Sequence, residues 1–206
     1  MRSQVLIVTK TIIYLVRHGQ TLWNIIKRTQ GMRRVPLNRI GKRQAILLAK
    51  KLKDLPFNVI YASPALRTMQ TARIIAPGKK IIPHPDIREL DRPAFEGLTH
   101  KQIRKRIPDI EQQWAQKGID WRPPAGGESL REYQKRSIRA FKQLVRKHQG
   151  KQILVVTHGG PIKSIVHWLH GGNPKDFLHR RNPENAEVVR IVIHNGKSTI
   201  VRSVLK

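Results

Sequence analysis

The 206-residue chain contains no cysteine, which excludes disulfides and thiolate chemistry. Aromatic residues make up only 5% of it, too few for an evident base-stacking platform. Long hydrophobic runs are also missing. The patch Val5-Leu6-Ile7-Val8 is cut off by Lys10, so it is too short for a membrane helix, and no signal-peptide cleavage pattern follows it. The expectation is a cytoplasmic protein with no membrane partner. No internal repeat and no low-complexity linker divides the chain, so residues 1–206 read as one domain large enough to fold unaided.

Acids are the scarcest charged type: 13 Asp and Glu stand against 41 Lys and Arg, a formal net charge of +28. The imbalance is uneven. Residues 1 to 70 carry fourteen basic side chains and only Asp54 as an acid, whereas most acids lie between Asp86 and Glu132. Such a field attracts polyanions and speeds capture of phosphorylated substrates in a salt-dependent way. With the basic residues spread over many segments, weak non-specific nucleic-acid binding is the expectation. Oligomeric state is left open, although self-repulsion disfavours large assemblies.

What is present alternates between apolar runs and helical patterns. Ile12 to Val16, Val59 to Ala62 and Ile153 to Thr157 are short continuous apolar runs, each followed by a polar or glycine-rich turn, as expected of buried parallel strands. Asn38 caps a helix through Ile40, Ala45, Leu48 and Leu52, and Ser63-Pro64 caps a second that carries Arg67. Ser129 to Glu132 is a capping box that opens a long helix reaching toward Gly150, and Pro161 opens a shorter one ending near Gly171-Gly172. Thr99 with Gln102 and the Asp109–Gln116 stretch predict two short helices. Glu187 to His194 and Ser198 to Leu205 flank Asn195-Gly196 and predict a hairpin with a tight turn. Together these give an α/β three-layer sandwich: a mostly parallel central sheet with an antiparallel edge, helices on both faces, and a lid insertion over residues 98–125.

The first apolar run ends in Val16-Arg17-His18-Gly19-Gln20. This places an imidazole at the carboxyl mouth of a buried strand, where α/β folds bind ligands. Arg17 can fork onto two oxygens of an oxyanion, Gly19 lets it approach the backbone, and His18 can present a ring nitrogen to phosphorus. His167 and His170 are three apart but lack a third ligand at a convincing spacing, so they read as a surface pair rather than a metal site. Gly126-Gly127 and Gly159-Gly160 are not followed by Lys-Ser or Lys-Thr and are not Walker-type loops.

Further blocks follow in order. Thr21-Leu22-Trp23-Asn24 continues the first. Then come Gln30-Gly31 and Pro36-Leu37-Asn38, Ser63-Pro64-Ala65-Leu66-Arg67-Thr68, Arg88-Glu89-Leu90, Gly126-Gly127-Glu128-Ser129, and Thr157-His158-Gly159-Gly160. In this order the chain resembles the histidine phosphatase superfamily, the group similar to cofactor-dependent phosphoglycerate mutase, from about Ile12 to Ile193. The resemblance implies His18 as nucleophile, Glu89 as general acid and base, and His158 as a catalytic and phosphate-binding residue. Arg17, Arg67 and Asn24 join it around the phosphate. Glu128 is assigned at most a supporting part. No metal and no cofactor is implied.

After Glu89 the sequence departs from relatives. Arg92-Pro93-Ala94-Phe95 precedes Glu96-Gly97, and Leu90-Asp91-Arg92 stands where glycolytic mutases carry His-Tyr-Gly. The leading expectation is therefore a metal-independent phosphomonoesterase acting on a small phosphorylated metabolite through a phosphohistidine. A phosphoglycerate mutase-type transfer and a non-catalytic polyanion-binding module remain the alternatives.

Overall fold

The computed structural model describes residues 10–123 and 126–203. The Val5–Val8 patch, the last residues of the expected hairpin and Pro124-Ala125 of the expected lid lie outside them. Six strands form one sheet: β1 (Thr11–Arg17), β2 (Val59–Ala62), β3 (Ile81–Pro83), β4 (Gln152–Thr157), β5 (Val188–His194) and β6 (Lys197–Ser203), in the order β3-β2-β4-β1-β5-β6. β1 to β4 run parallel. β5 pairs antiparallel with β1, and β6 antiparallel with β5. The Asn195-Gly196 turn has φ of 50° and 72°, as the two-residue hairpin requires.

Alternation along the central strands divides the core in two. Ile13, Leu15, Ile153 and Val155 face one layer, where they meet Phe141 and Leu144 of α6 (Leu130–Lys147) and Ile162 and Ile165 of α7 (Gly159–Leu169). Tyr14, Val16, Leu154 and Val156 face the other, against Leu48 and Leu52 of α2 (Arg39–Leu52) and Ala72 and Ile75 of α3 (Leu66–Ile75). Because both faces are covered, β1 and β4 read as unbroken apolar runs rather than alternating ones. A one-turn helix, α1 (Leu22–Ile25), follows the first motif. α4 (His100–Arg106) and α5 (Ile110–Lys117) lie in the stretch expected to be a lid, where Ile103, Ile110 and Trp121 form a small separate core with Phe95.

Local caps account for most helix starts. Asn38 Oδ1 accepts from Gly41 N at 2.7 Å, and Thr99 and Ser129 close reciprocal capping boxes with Gln102 and Glu132. Two expected starts are displaced. α3 begins after Ala65, so Ser63 caps nothing and its hydroxyl bonds His158 instead. α7 begins at Gly159 with His158 in the cap position, two residues before Pro161. At both places a strand end leads so directly into its helix that the turn is shorter than the residue pattern suggests.

Candidate active site

The register of β1 on β4 builds the centre of the site. Arg17 pairs with Thr157, so the next residues, His18 and His158, leave adjacent parallel strands side by side. Their rings stand 5.3 Å apart, edge to face. His18 N donates to Thr157 O at 2.9 Å, and Gly19 N to Thr71 Oγ1 of α3 at 3.1 Å. Behind the loop Ala186, at φ 60°, sends its N–H to the carbonyls of Arg17 and His18, and Asn185 Nδ2 donates to His18 O at 3.1 Å.

Gly19 is required by proximity rather than by φ. A Cβ there would run into the Gly41 carbonyl, and one on Gly41 into the backbone of Gln20. The loop that follows β1 and the first turn of α2 thus touch backbone to backbone.

Arg67, in the first turn of α3, lies across both imidazoles and is 1% exposed. Its Nε donates to His18 Nε2 at 3.3 Å, and its Nη2 bonds His158 Nδ1 at 3.0 Å and Gly31 O at 2.9 Å. An arginine only donates, so His158 Nδ1 accepts and the proton lies on Nε2, toward Ser63 Oγ at 2.8 Å. His18 Nδ1 lies 2.8 Å from the Gly19 carbonyl and must donate to it, which leaves the Nε2 lone pair facing the site. Burial, then Arg67 and Arg17, holds His18 well below the ordinary imidazole value. His158 is lowered by burial and then by Arg67, His18 and Arg17. Burial lowers Arg17, and brings Arg67 down to about 10, so both stay cationic at neutral pH. Among the described residues, Arg17 Nε and Arg67 Nη1 are buried without a hydrogen-bond partner. Both belong to the arginines that surround His18 and His158.

Glu89 reaches the same pocket from the loop after the Pro85–Ile87 turn. Its Oε1 accepts from Leu90 N at 2.9 Å and from the Tyr133 hydroxyl. Tyr133 is fully buried in α6, and burial followed by the Glu89 charge pushes its phenol well above its usual range, so it donates. The loop is fixed from beneath. Arg136 forms a buried ion pair with Glu128 and donates to the carbonyls of Asp86 at 2.7 Å and Arg88 at 3.2 Å, while Glu128 Oε1 accepts from Asp91 N at 3.0 Å.

His18, Arg17, Arg67, Glu89 and His158 therefore converge. Asn24 sits at the rim, and its Oδ1 closes the capping box of α1 with Thr21 while Asn185 Nδ2 approaches it at 3.3 Å. Arg92 lies on the Glu89 side. Its charge is felt by Tyr133, Glu89 and Glu128, and its guanidinium stands 5.8 Å over the Trp121 ring. Sequence reading did not single out Tyr133, Asn185 or Arg136, and gave Ser63 a different part. His167, expected in a surface pair with His170, is instead buried: it bonds Asn173 O at 2.6 Å and closes the end of α7. Among the described residues no group of three or more His, Asp or Glu is arranged to hold a metal ion.

Two adjacent strand-end histidines bridged by an arginine, with a carboxylate opposite, mark a phosphate-handling class. The chain belongs to the histidine phosphatase superfamily (branch 1), whose family model matches residues 13–206. It is 35% identical over 159 residues to a metal-independent phosphoserine phosphatase of Arabidopsis thaliana, covering 75% of this chain and 67% of the relative. It is equally 35% identical over 164 residues to a probable phosphoglycerate mutase GpmB of Yersinia pestis (strain Pestoides F), covering 77% and 74%. The fold superposes on Bacillus stearothermophilus YhfR with a TM-score of 0.83 at 29% identity, over 92% of this chain and 95% of that one. A phosphoserine phosphatase from Entamoeba histolytica in complex with 3-phosphoglyceric acid shares the fold, with a TM-score of 0.82 at 24% identity over 95% and 98% of the two chains. The protein is a histidine phosphatase with a phosphoglycerate mutase-like fold.

Proposed function

We propose that this enzyme hydrolyses small phosphomonoesters by two in-line displacements at His18, without a metal or organic cofactor. The observation that carries this reading is the pair of buried, unpartnered guanidinium nitrogens of Arg17 and Arg67, set beside a neutral imidazole whose tautomer is fixed. Phosphoryl oxygens complete those donors where a neutral ligand would leave them unpaired. In the first step His18 Nε2 bonds to phosphorus as the ester P–O bond breaks, and Glu89, holding a proton, delivers it to the leaving oxygen. In the second, Glu89 takes a proton from water as the water oxygen attacks phosphorus and the P–N bond breaks. His18 returns neutral and Glu89 protonated. Arg17 and Arg67 hold the equatorial oxygens throughout, and Tyr133 keeps one carboxylate oxygen fixed so that the other carries the proton.

His158 is fixed as a neutral Nε2–H tautomer by Arg67 and Ser63, so we assign it to ordering Arg67 until phosphate arrives. Once phosphate draws Arg67 away, the phosphate charge lets Nδ1 take up a proton and donate it to a phosphoryl oxygen. Residues 98–125, with their separate small core, are proposed as the cover over the leaving group.

Phosphoserine and 3-phosphoglycerate head the substrate panel, because relatives named for them share the fold or the sequence. The test is phosphate release from an aryl phosphate with and without a chelator, followed by that panel. Release that persists in chelator, together with an acid-labile phosphoenzyme that disappears in His18→Ala, supports the reading. Isomerisation of 3-phosphoglycerate without net phosphate release favours the mutase alternative. Absence of turnover on every phosphoester leaves only the polyanion-binding alternative.

A further inference from the structure

Eight large hydrophobic side chains are exposed among the described residues, and six of them cluster in one stretch: Leu22, Ile25, Ile26, Ile40, Ile46 and Leu47, each 42–56% exposed. Scattered singly, exposed aliphatics are ordinary, whereas six within one surface region require a reason. The same stretch, residues 22–53, contains ten Lys and Arg and no acid. From the coincidence of these two properties we infer that α1 and the outer face of α2 form a peripheral docking surface for an anionic lipid bilayer.

The helix geometry gathers the aliphatics. α2 buries Gly41, Ala45, Leu48 and Leu52. At 3.6 residues per turn, Arg39, Arg43 and Lys50 lie along the opposite ridge, with Ile46 close beside them. Ile40 and Leu47, seven residues apart, share one flank with Gln44. Gln44 Oε1 accepts from Gln20 N at 2.9 Å, so that flank is turned toward α1. A bridge between Thr21 and Leu37 ties the two segments further. Aliphatic prongs on α1 and on the adjoining flank of α2 thus border a basic ridge. This combination favours insertion of aliphatic groups at the level of anionic headgroups that neutralise the cations.

Charge decides among occupants. Arg33 of this stretch pairs with Glu96, but in a two-fold contact the remaining cations of α2 would face their own copies with no acid on that helix to offset them, which opposes self-association. A nucleic acid would engage the cations and leave the aliphatics without a role. A fluid anionic surface satisfies both; the apolar cavity of about 640 Å³ at the C-terminal ends of α2 and α3 meets the ridge only at Lys50. No helix among the described residues is long and apolar enough to cross a membrane, so the contact is peripheral. The sequence expectation of no membrane partner weighed only apolar run length. The exposure of Ile40 and Leu47 emerges once the other side of α2 is seen to be buried.

The test is co-sedimentation of the full chain with phosphatidylcholine vesicles, with and without about one-third phosphatidylserine. Binding is expected only to the anionic vesicles. The double variant Ile40→Asn/Leu47→Asn should weaken it roughly tenfold at physiological salt, since affinity follows buried apolar area. Arg43→Glu/Lys50→Glu should abolish it. Both variants should keep wild-type melting behaviour and aryl phosphate hydrolysis, because neither pair belongs to the phosphate site. Equal vesicle affinity of wild type and Ile40→Asn/Leu47→Asn would overturn the inference, reducing the surface to bulk charge. So would absence of vesicle binding, a dimer that the aliphatic variant converts to monomer, or RNA capture in its place.

Discussion

Arg67 reaches Nε2 of His18 with its Nε at 3.3 Å and Nδ1 of His158 with its Nη2 at 3.0 Å, so one planar guanidinium orders two imidazoles at once. A lysine ammonium is a single point charge and cannot reproduce that fork. Arg67→Lys should therefore lower kcat/KM by roughly 100-fold or more while the fold persists. Steady-state rates on an aryl phosphate, with circular dichroism as control, check this. A loss under tenfold would mean that charge alone suffices.

Burial and neighbouring arginines hold His18 and His158 well below the ordinary imidazole value of 6.5. Above that value both rings are neutral, folded or unfolded, and contribute nothing to pH dependence. As pH falls through it, the unfolded chain gains protons that the folded chain resists, so stability declines. The limit is about 1.4 kcal/mol per pH unit for each ring, until the folded-state values are reached. Urea unfolding in phosphate-free buffer at about pH 7.5 and 5.5 should show this decline, shallower in His18→Ala. The acid limb of kcat/KM should likewise lie below 6.5. A limb centred above 6.5 would contradict a neutral His18.

Glu89→Gln should slow hydrolysis of an alkyl phosphate by about 100-fold yet barely affect an aryl phosphate, whose leaving group needs little protonation. Glu128→Gln should shift the same selectivity in the same direction but by less, about tenfold, because it loosens the Arg136 anchor under residues 86–91 without touching the ester. Rates across a series of leaving-group pKa values read both. A Glu128→Gln loss that is uniform along the series would assign that pair to stability alone.

The two glycines that open α7 should respond unequally. A Cβ on Gly160 would overlap the Tyr133 hydroxyl and stand 2.7 Å from Glu89 Oε1, whereas one on Gly159 would meet Arg17 Nε at an ordinary 3.5 Å. Gly160→Ala should cost on the order of 100-fold in kcat through displacement of the acid, and Gly159→Ala only a few-fold. Parallel kinetics on an alkyl phosphate distinguish them, and equal effects would indicate general damage to the helix start.

Strand and helix patterning made the layers legible because β1 and β4 are buried on both faces and the helices carry strong caps at Asn38, Thr99 and Ser129. The ordered motifs pointed to His18, Arg67 and His158 because each follows a strand end or opens a helix, whereas Glu89, in a loop, came only from the order of the blocks. What escaped was long-range. Tyr133 sits at an apolar position of α6, and nothing local reveals that its hydroxyl meets a carboxylate 44 residues earlier. Asn185 joins His18 across 167 residues. Ser63 looked like a cap because Ser-Pro commonly is one, but the tertiary partner His158 claimed its hydroxyl. β3, three residues ending at Pro83, is too short to show a period.

The contact between Gly19 and Gly41 has a consequence for how this sequence can vary. Each position excludes a side chain because of the other segment's backbone, so no compensating change at the partner can rescue a substitution. Saturation mutagenesis should find the two sites equally intolerant and independent of each other, although one adjoins His18 and the other opens α2. Read from tolerance alone, Gly41 would pass for an active-site residue; what it preserves is clearance.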